Sequence, residues 1–201
     1  MRLDDVDFAQ QANTFWAVFL GAFLATVGGI AATQAETWFH RRDRERDSAR
    51  LFGEILSTLH ALIRVAGQTR GVGDPYGPIT LRMLRAARRE LDVYDRNREA
   101  LSELRDRDLR ARLHGFMVRL TMPIDGVLDG SAEIASLKAF LRTPGLADDV
   151  RVETETMIAA GEMRRDQGFD FIVEAGEGIP ELMVGISRLS KQSFKPYSTE
   201  P

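Results

Sequence analysis

Between Asp7 and Glu36 the chain places 28 consecutive residues without a single charge. No other feature restricts the fold as much. Its apolar heart, Phe15 to Ala35, spans 21 residues, or about 31 Å as an α-helix at roughly 1.5 Å per residue. The hydrocarbon core of a bilayer is about 30 Å thick. Phe15, Val18, Phe19, Leu20, Phe23, Leu24, Val27 and Ile30 fall on every side of a helical wheel, as a lipid-facing helix requires. At roughly −0.3 to −0.6 kcal/mol each, the eight favour insertion by on the order of −3 to −4 kcal/mol. Gly21, Gly28, Gly29, Thr26 and Thr33 erode part of that gain.

Two other uses of such a run fit less well. A secretory signal needs a basic start and a shorter apolar region, whereas Asp4, Asp5 and Asp7 outnumber Arg2 here. A core helix of a globular fold carries a charged face somewhere along 28 residues. The sequence therefore predicts a transmembrane helix over residues 15–39, preceded by a short outside tail, residues 1–14. Trp16, Trp38 and Phe39 suit the membrane–water interface, and Arg41, Arg42 and Arg44 suit the headgroup level beyond it. Arg46 and Arg50 extend that basic stop, although Asp43, Glu45 and Asp47 dilute it. Positive flanks stay in the cytoplasm, so the N-terminus is expected outside and the rest inside.

Ala17, Gly21, Ala25, Gly29 and Thr33 recur every four residues, with Gly28 beside them. Small residues at that spacing let two helix backbones approach closely, the contact that drives association in lipid. These six are the candidate helix–helix interface. The partner is either another membrane protein or a second copy.

From residue 40 to residue 192 the periodicity is helical throughout. Leu51, Phe52, Ile55, Leu56, Leu59, Leu62, Ile63 and Ala66 make one stripe, which is either a core face or the seam of a parallel coiled coil. Gly67 to Pro78, GQTRGVGDPYGP, reads as a connector, with Pro78 in the first turn of the next helix. Its glycines do not have the spacing of a phosphate loop, and no lysine follows them. Leu84, Ala87, Leu91, Tyr94, Leu101 and Leu104 predict one helix, ending at the RDRD run of residues 105–108, where Asp106 or Asp108 caps its successor. Leu109, Leu113, Phe116, Met117, Leu120, Ile124 and Val127 continue, with a kink expected at Pro123. Further helices are expected through Ile134, Leu137, Phe140 and Leu141, through Val152, Met157 and Ile158, and from Phe169 to Leu189 with a break near Gly176 to Pro180. Residues 193–201 are expected to form a loose tail. The expected fold class is all-α: one N-terminal transmembrane helix followed by a cytoplasmic antiparallel helical bundle.

Chemistry is harder to find. The chain has no cysteine, which excludes disulfides, thiolate metal sites and cysteine nucleophiles. Its three histidines, His40, His60 and His114, belong to no Glu-x-x-His pair, and no His-Glu-x-x-His or Gly-x-Ser-x-Gly motif occurs. No ionisable residue lies between Phe15 and Ala35, so a proton path through one copy has no basis. The net charge of −3 does not suit nucleic acid. Charge is uneven along the chain: residues 81–120 hold eleven arginines against seven acids, and residues 146–185 hold ten acids against three arginines. Ion pairs between neighbouring helices account for this; the alternative is that Arg82, Arg85 and Arg89 form a face that meets phosphate or lipid. Lysine appears three times and arginine 24 times, a bias typical of GC-rich bacterial genomes.

The segments ELDVYDRNREALSEL, Glu90 to Leu104, and DLRARLHGFMVRL, Asp108 to Leu120, carry one resemblance. With the small-residue helix and basic stop before them, the order of features is similar to a group of uncharacterised bacterial single-pass inner-membrane proteins. That resemblance implies fold and location, and brings no activity or site residue. The sequence thus points to a non-enzymatic module without cofactors, partnered by the lipid bilayer and by a membrane protein or itself. Its expected role is an accessory or assembly subunit; the alternative is an effector or sensor whose membrane helices cluster.

Overall fold

The computed structural model describes the backbone of residues 4–194 and the side chains of residues 19–194. The elements are α1 (Asp4–Arg70), α2 (Pro78–Arg96), a 3₁₀ segment (Arg98–Glu103), α3 (Arg107–Phe140), α4 (Asp148–Glu177) and α5 (Ile179–Ser190). No strand occurs among the described residues. They divide into two compact units, residues 1–44 and 45–201, and α1 contributes to both.

The second unit is an antiparallel helical bundle, and cross-contacts fix the direction of each helix. Phe52 of α1 packs near Tyr94 of α2, with ring centroids 6.1 Å apart, while Thr69 and Thr80 share a 3.1 Å hydrogen bond at the other end. Arg88 Nε donates to Asp125 of α3 at 2.7 Å, and Tyr94 meets His114. Gly168 of α4 sits against Val127 of α3, and Gly176 against Ile63 of α1. Then α5 returns beside the start of α3, where Arg112 Nη2 donates to Glu181 at 2.7 Å. Short connections between neighbours make this up-and-down order the natural one.

The α1 stripe lies inside this bundle. Phe52, Leu56 and Leu59 are 0% exposed, and they share one core cluster with Leu84, Leu91, Leu113, Leu120, Ile124, Phe169, Ile172 and Ile186, each at most 1% exposed. Each such side chain contributes roughly 1.5–3 kcal/mol of transfer free energy. The stripe is therefore spent within its own bundle, and the coiled-coil use of Leu56, Leu59 and Ile63 is corrected. Gly176 lets α1 and α4 meet closely: a Cβ there would stand 2.8 Å from Ile63 Cγ2.

Local chemistry sets the helix ends. Pro78 opens α2, as expected. Asp106 caps α3, its carboxylate accepting from the N–H groups of Asp108 and Leu109 at 3.1 and 3.0 Å. The helix expected to run on to Leu104 ends instead at Arg96. Asn97 terminates it, its Nδ2 donating to the Val93 carbonyl at 2.7 Å, and a 3₁₀ turn carries Leu101 and Leu104 into the core. The helices expected on either side of residue 130 are one, because α3 continues through Pro123 to Phe140.

Beyond Val127, α3 and α4 continue as a pair. Ile134 packs on Gly161, and Lys138 Nζ donates to Glu162 at 2.6 Å. Burial thins there to Ser131, Ile134, Thr154, Ile158 and Gly161. Val152 and Met157, expected in the stripe, stand 62% and 47% exposed, because a two-helix contact covers one narrow line of residues.

A polar cluster closes the connector after α1. Tyr76 donates to Asp166, Arg70 pairs with Asp170, and the Arg165 guanidinium stacks 3.6 Å from the Tyr76 ring centroid. Burial and the Asp166 hydrogen bond push the Tyr76 phenol up to about 12. Gly73 adopts φ +79°, the left-handed conformation that this turn needs and glycine takes without strain.

Among the described residues, no helix is long and apolar enough to cross a membrane. The physical reason lies in the composition after Phe19, where Gly21, Thr26, Gly28, Gly29, Thr33, Gln34 and Glu36 dilute the apolar content. Phe15, Trp16, Ala17 and Val18, the first residues of the expected 15–39 span, lie outside the described side chains.

Candidate functional site

The first unit, taken by itself, has an unusual surface. From Phe19 to Arg41 every residue of α1 is exposed, yet residues 19–35 are uncharged. Phe19, Leu20, Phe23, Leu24, Val27 and Ile30 are 47–65% exposed. A helix that is apolar on all sides is ordinarily covered by protein or lipid, and a patch this continuous marks an interaction surface.

Small residues interrupt that apolar surface. A methyl group added to Gly21, Gly28 or Gly29 would meet no atom within 4 Å, so the described chain itself supplies no partner there. Ala25 and Thr33 are exposed as well. Thr26, Thr33 and Thr37 turn their hydroxyls back onto the carbonyls of Ala22, Gly29 and Thr33 at 2.8–3.0 Å. This hides their polarity from whatever meets the helix. Ala17, the first of the expected interface residues, lies outside the described side chains, as does the expected anchor Trp16.

The far end of the run is built differently. Trp38 and Phe39 stack edge to face with centroids 5.2 Å apart, and the Arg42 guanidinium lies 5.1 Å from the Trp38 ring centroid. His40 Nε2 stands 3.6 Å from Glu36. Arg41 and Arg44 are exposed, and Arg42 is partly covered. Aromatic rings and guanidinium groups are thus brought together within about two helical turns.

No family model, no curated protein and no solved structure matches the chain. The functional reading of this surface therefore rests on its own chemistry.

The bundle offers less conventional chemistry. Among the described residues, no group of three or more histidine or carboxylate side chains could hold a metal ion. His60 is 5% exposed with its Nδ1 unpartnered. Burial, and secondarily Arg64, lower its pKa. His114 Nδ1 lies 2.7 Å from the Tyr94 hydroxyl. A cavity of about 310 Å³ opens where α4 gives way to α5, with Phe116, Phe171, Arg119 and Glu174 on its walls. These groups do not converge on a nucleophile and its base.

The uneven charge resolves in a way the sequence only half predicts. Arg112–Glu181 joins the basic and acidic stretches, whereas Arg88 pairs with Asp92 and Asp125 outside the acidic stretch. Arg82, Arg85 and Arg89 stand exposed on α2, and a separate set, Arg98, Arg107 and Arg110, shares a concavity. They are gathered by the 3₁₀ segment and the start of α3, and a break in α2 at Asn97 is hard to see in a stripe that keeps its period through Leu101.

Proposed function

We propose that this chain is a membrane-anchored helical interaction module, an accessory or assembly subunit of a membrane protein complex. What carries the reading is the exposed, uncharged surface from Phe19 onward, which water does not tolerate at that extent. Phe15 to Val18 precede it in sequence and bring the run to bilayer length. The uncovered faces of Gly21, Ala25 and Gly29 support a helix partner within lipid. The arginines that follow support a cytoplasmic bundle and an outside N-terminus.

The deciding experiment is affinity purification in gentle detergent, with component identification and a native mass. A stoichiometric set of other membrane proteins is the expected result. Replacing Gly21, Ala25 and Gly29 together with leucine should then release those partners while the chain stays resistant to alkaline extraction. An unchanged complex mass after that replacement would remove the small-residue face from the proposal.

The unbroken helical backbone of α1 favours a second reading, an effector or sensor whose first helices cluster. A pure homo-oligomer in the same purification, with growth arrest or leakage on overexpression, distinguishes it.

A further inference from the structure

At the end of the bundle where α1 enters, the 3₁₀ segment and the start of α3 form a shallow groove. Arg98, Arg107, Arg110 and His114 line it, together with Ser102 and Glu99. Arg107 and Arg110 are three apart and share one face of α3, and Arg98 reaches the same place from the 3₁₀ segment. The ion pairs nearby are made by other arginines, Arg105 with Glu45 and Arg112 with Glu181. Among the described residues, Arg98, Arg107 and Arg110 make none. Three guanidinium groups against the one carboxylate of Glu99 leave the lining with a surplus of positive charge. Asp95 adds an acid close to Tyr94.

His114 completes the set. Burial pushes the Tyr94 phenol up to about 12, and its hydroxyl lies 2.7 Å from His114 Nδ1. That contact engages Nδ1 and leaves Nε2 as the ring nitrogen not met by Tyr94. Guanidinium forks match the oxygens of a phosphate group.

The groove's location argues for the source of that phosphate. The Arg105 N–H donates to Glu45 Oε1 at 3.0 Å, and Glu45 is only 8% exposed. This ties the groove segment to the first bundle residue of α1. Arg44, Arg42 and Arg41 immediately precede Glu45 in sequence, so a surface met by those three is within reach of the residues pinned to Glu45.

We propose that the Arg98–Arg107–Arg110–His114 groove binds the phosphate of an anionic phospholipid headgroup and seats the entry end of the bundle on the membrane. The inference rests on the membrane-anchored reading above. Three arginines near an anionic surface are together worth roughly a hundredfold in binding.

The test titrates dihexanoylphosphatidylglycerol into the full chain in neutral detergent and follows the imidazole resonances of the three histidines. Movement of the His114 signal is expected, with His60 still, and no response to dihexanoylphosphatidylcholine or inorganic phosphate at equal concentration. Arg98→Ser, Arg107→Ser and Arg110→Ser combined should weaken the response roughly a hundredfold. The single Arg107→Glu, at an exposed site, should weaken it in the same direction if the triple variant folds poorly. A response to inorganic phosphate alone would replace the lipid with a free anion. Equal responses to both lipids, or an unaltered response in the variants, would overturn the groove. Alkaline extraction of the same variants reads the anchor separately: loss of extraction resistance in the unaltered chain defeats the anchor, whatever the groove binds.

Discussion

The two parts of α1 make an instructive pair. Residues 19–41 and residues 45–70 belong to one helix, and both carry many large apolar side chains. In the second part these form a stripe: Phe52, Leu56 and Leu59 are at 0% exposure, while Glu54 and Arg64 face out. In the first part apolar residues surround the helix, and none is covered. The total apolar content hardly separates them; its angular distribution does. A stripe can be satisfied by neighbouring helices of the same chain, whereas a fully apolar cylinder needs something external on every side.

The comparison is broken most forcefully inside the bundle. Phe52→Ala should cost about 3–5 kcal/mol, a large share of the stability of an ordinary domain. Phe23→Ala should leave the bundle's stability unchanged. Denaturant unfolding followed by circular dichroism checks both, and equal effects would erase the distinction between the two parts. Next, if the chain is membrane-anchored as proposed, Phe23→Arg should cost insertion about 3–4 kcal/mol, as much as the whole apolar driving force, and the alkali-resistant fraction should collapse without any change in bundle unfolding. Gly176→Val should destabilise by about 2–3 kcal/mol, since its branches must displace Ile63 of α1. Denaturation midpoints read that loss.

The smallest effect concerns pH. The His60 imidazole protonates near 6.5 in an unfolded chain and at a lower pH in the bundle, because burial and then Arg64 oppose its charge. Below pH 6.5 the unfolded state therefore binds more protons, and stability falls as pH drops through that range. His60→Phe should flatten this dependence, as measured by unfolding free energies between pH 7.5 and 5. A slope identical to that of the unaltered chain would assign the acid sensitivity to another group.

Much of the bundle is legible in the sequence because its stripes are long and regular. Leu84, Ala87, Leu91 and Tyr94 are all buried where their spacing puts them, and the cap is Asp106, one of the two candidates, Asp106 and Asp108, that the sequence offers. What escapes is information that periodicity does not carry. Leu101 keeps the helical rhythm although the backbone has changed to 3₁₀. Thr154 and Gly161 are buried in α4, but a polar and a side-chain-free residue leave no hydrophobic mark. Gly53, a mild interruption in sequence, is where the Phe194 ring lies against α1, a contact about 140 residues apart. As for the candidate sites, the small-residue face follows directly from its four-residue repeat. The arginine groove does not, because it depends on where the chain turns after Asn97.

The burial of α1 by α4 and α5 also sets an order in time. The stripe from Phe52 to Ala66 leaves the ribosome roughly a hundred residues before Ile172 and Ile186, the side chains that help to cover it. At roughly 5–20 residues per second, that is about 5–20 s of synthesis. Throughout it the nascent chain presents the stripe that its own later helices will cover, beside the uncharged run from Phe19 to Ile30, whose side chains are exposed. For that interval the bundle's core face depends on whatever shields nascent chains, and the arginine-rich stretch from Arg41 to Arg50 separates it from the uncharged run.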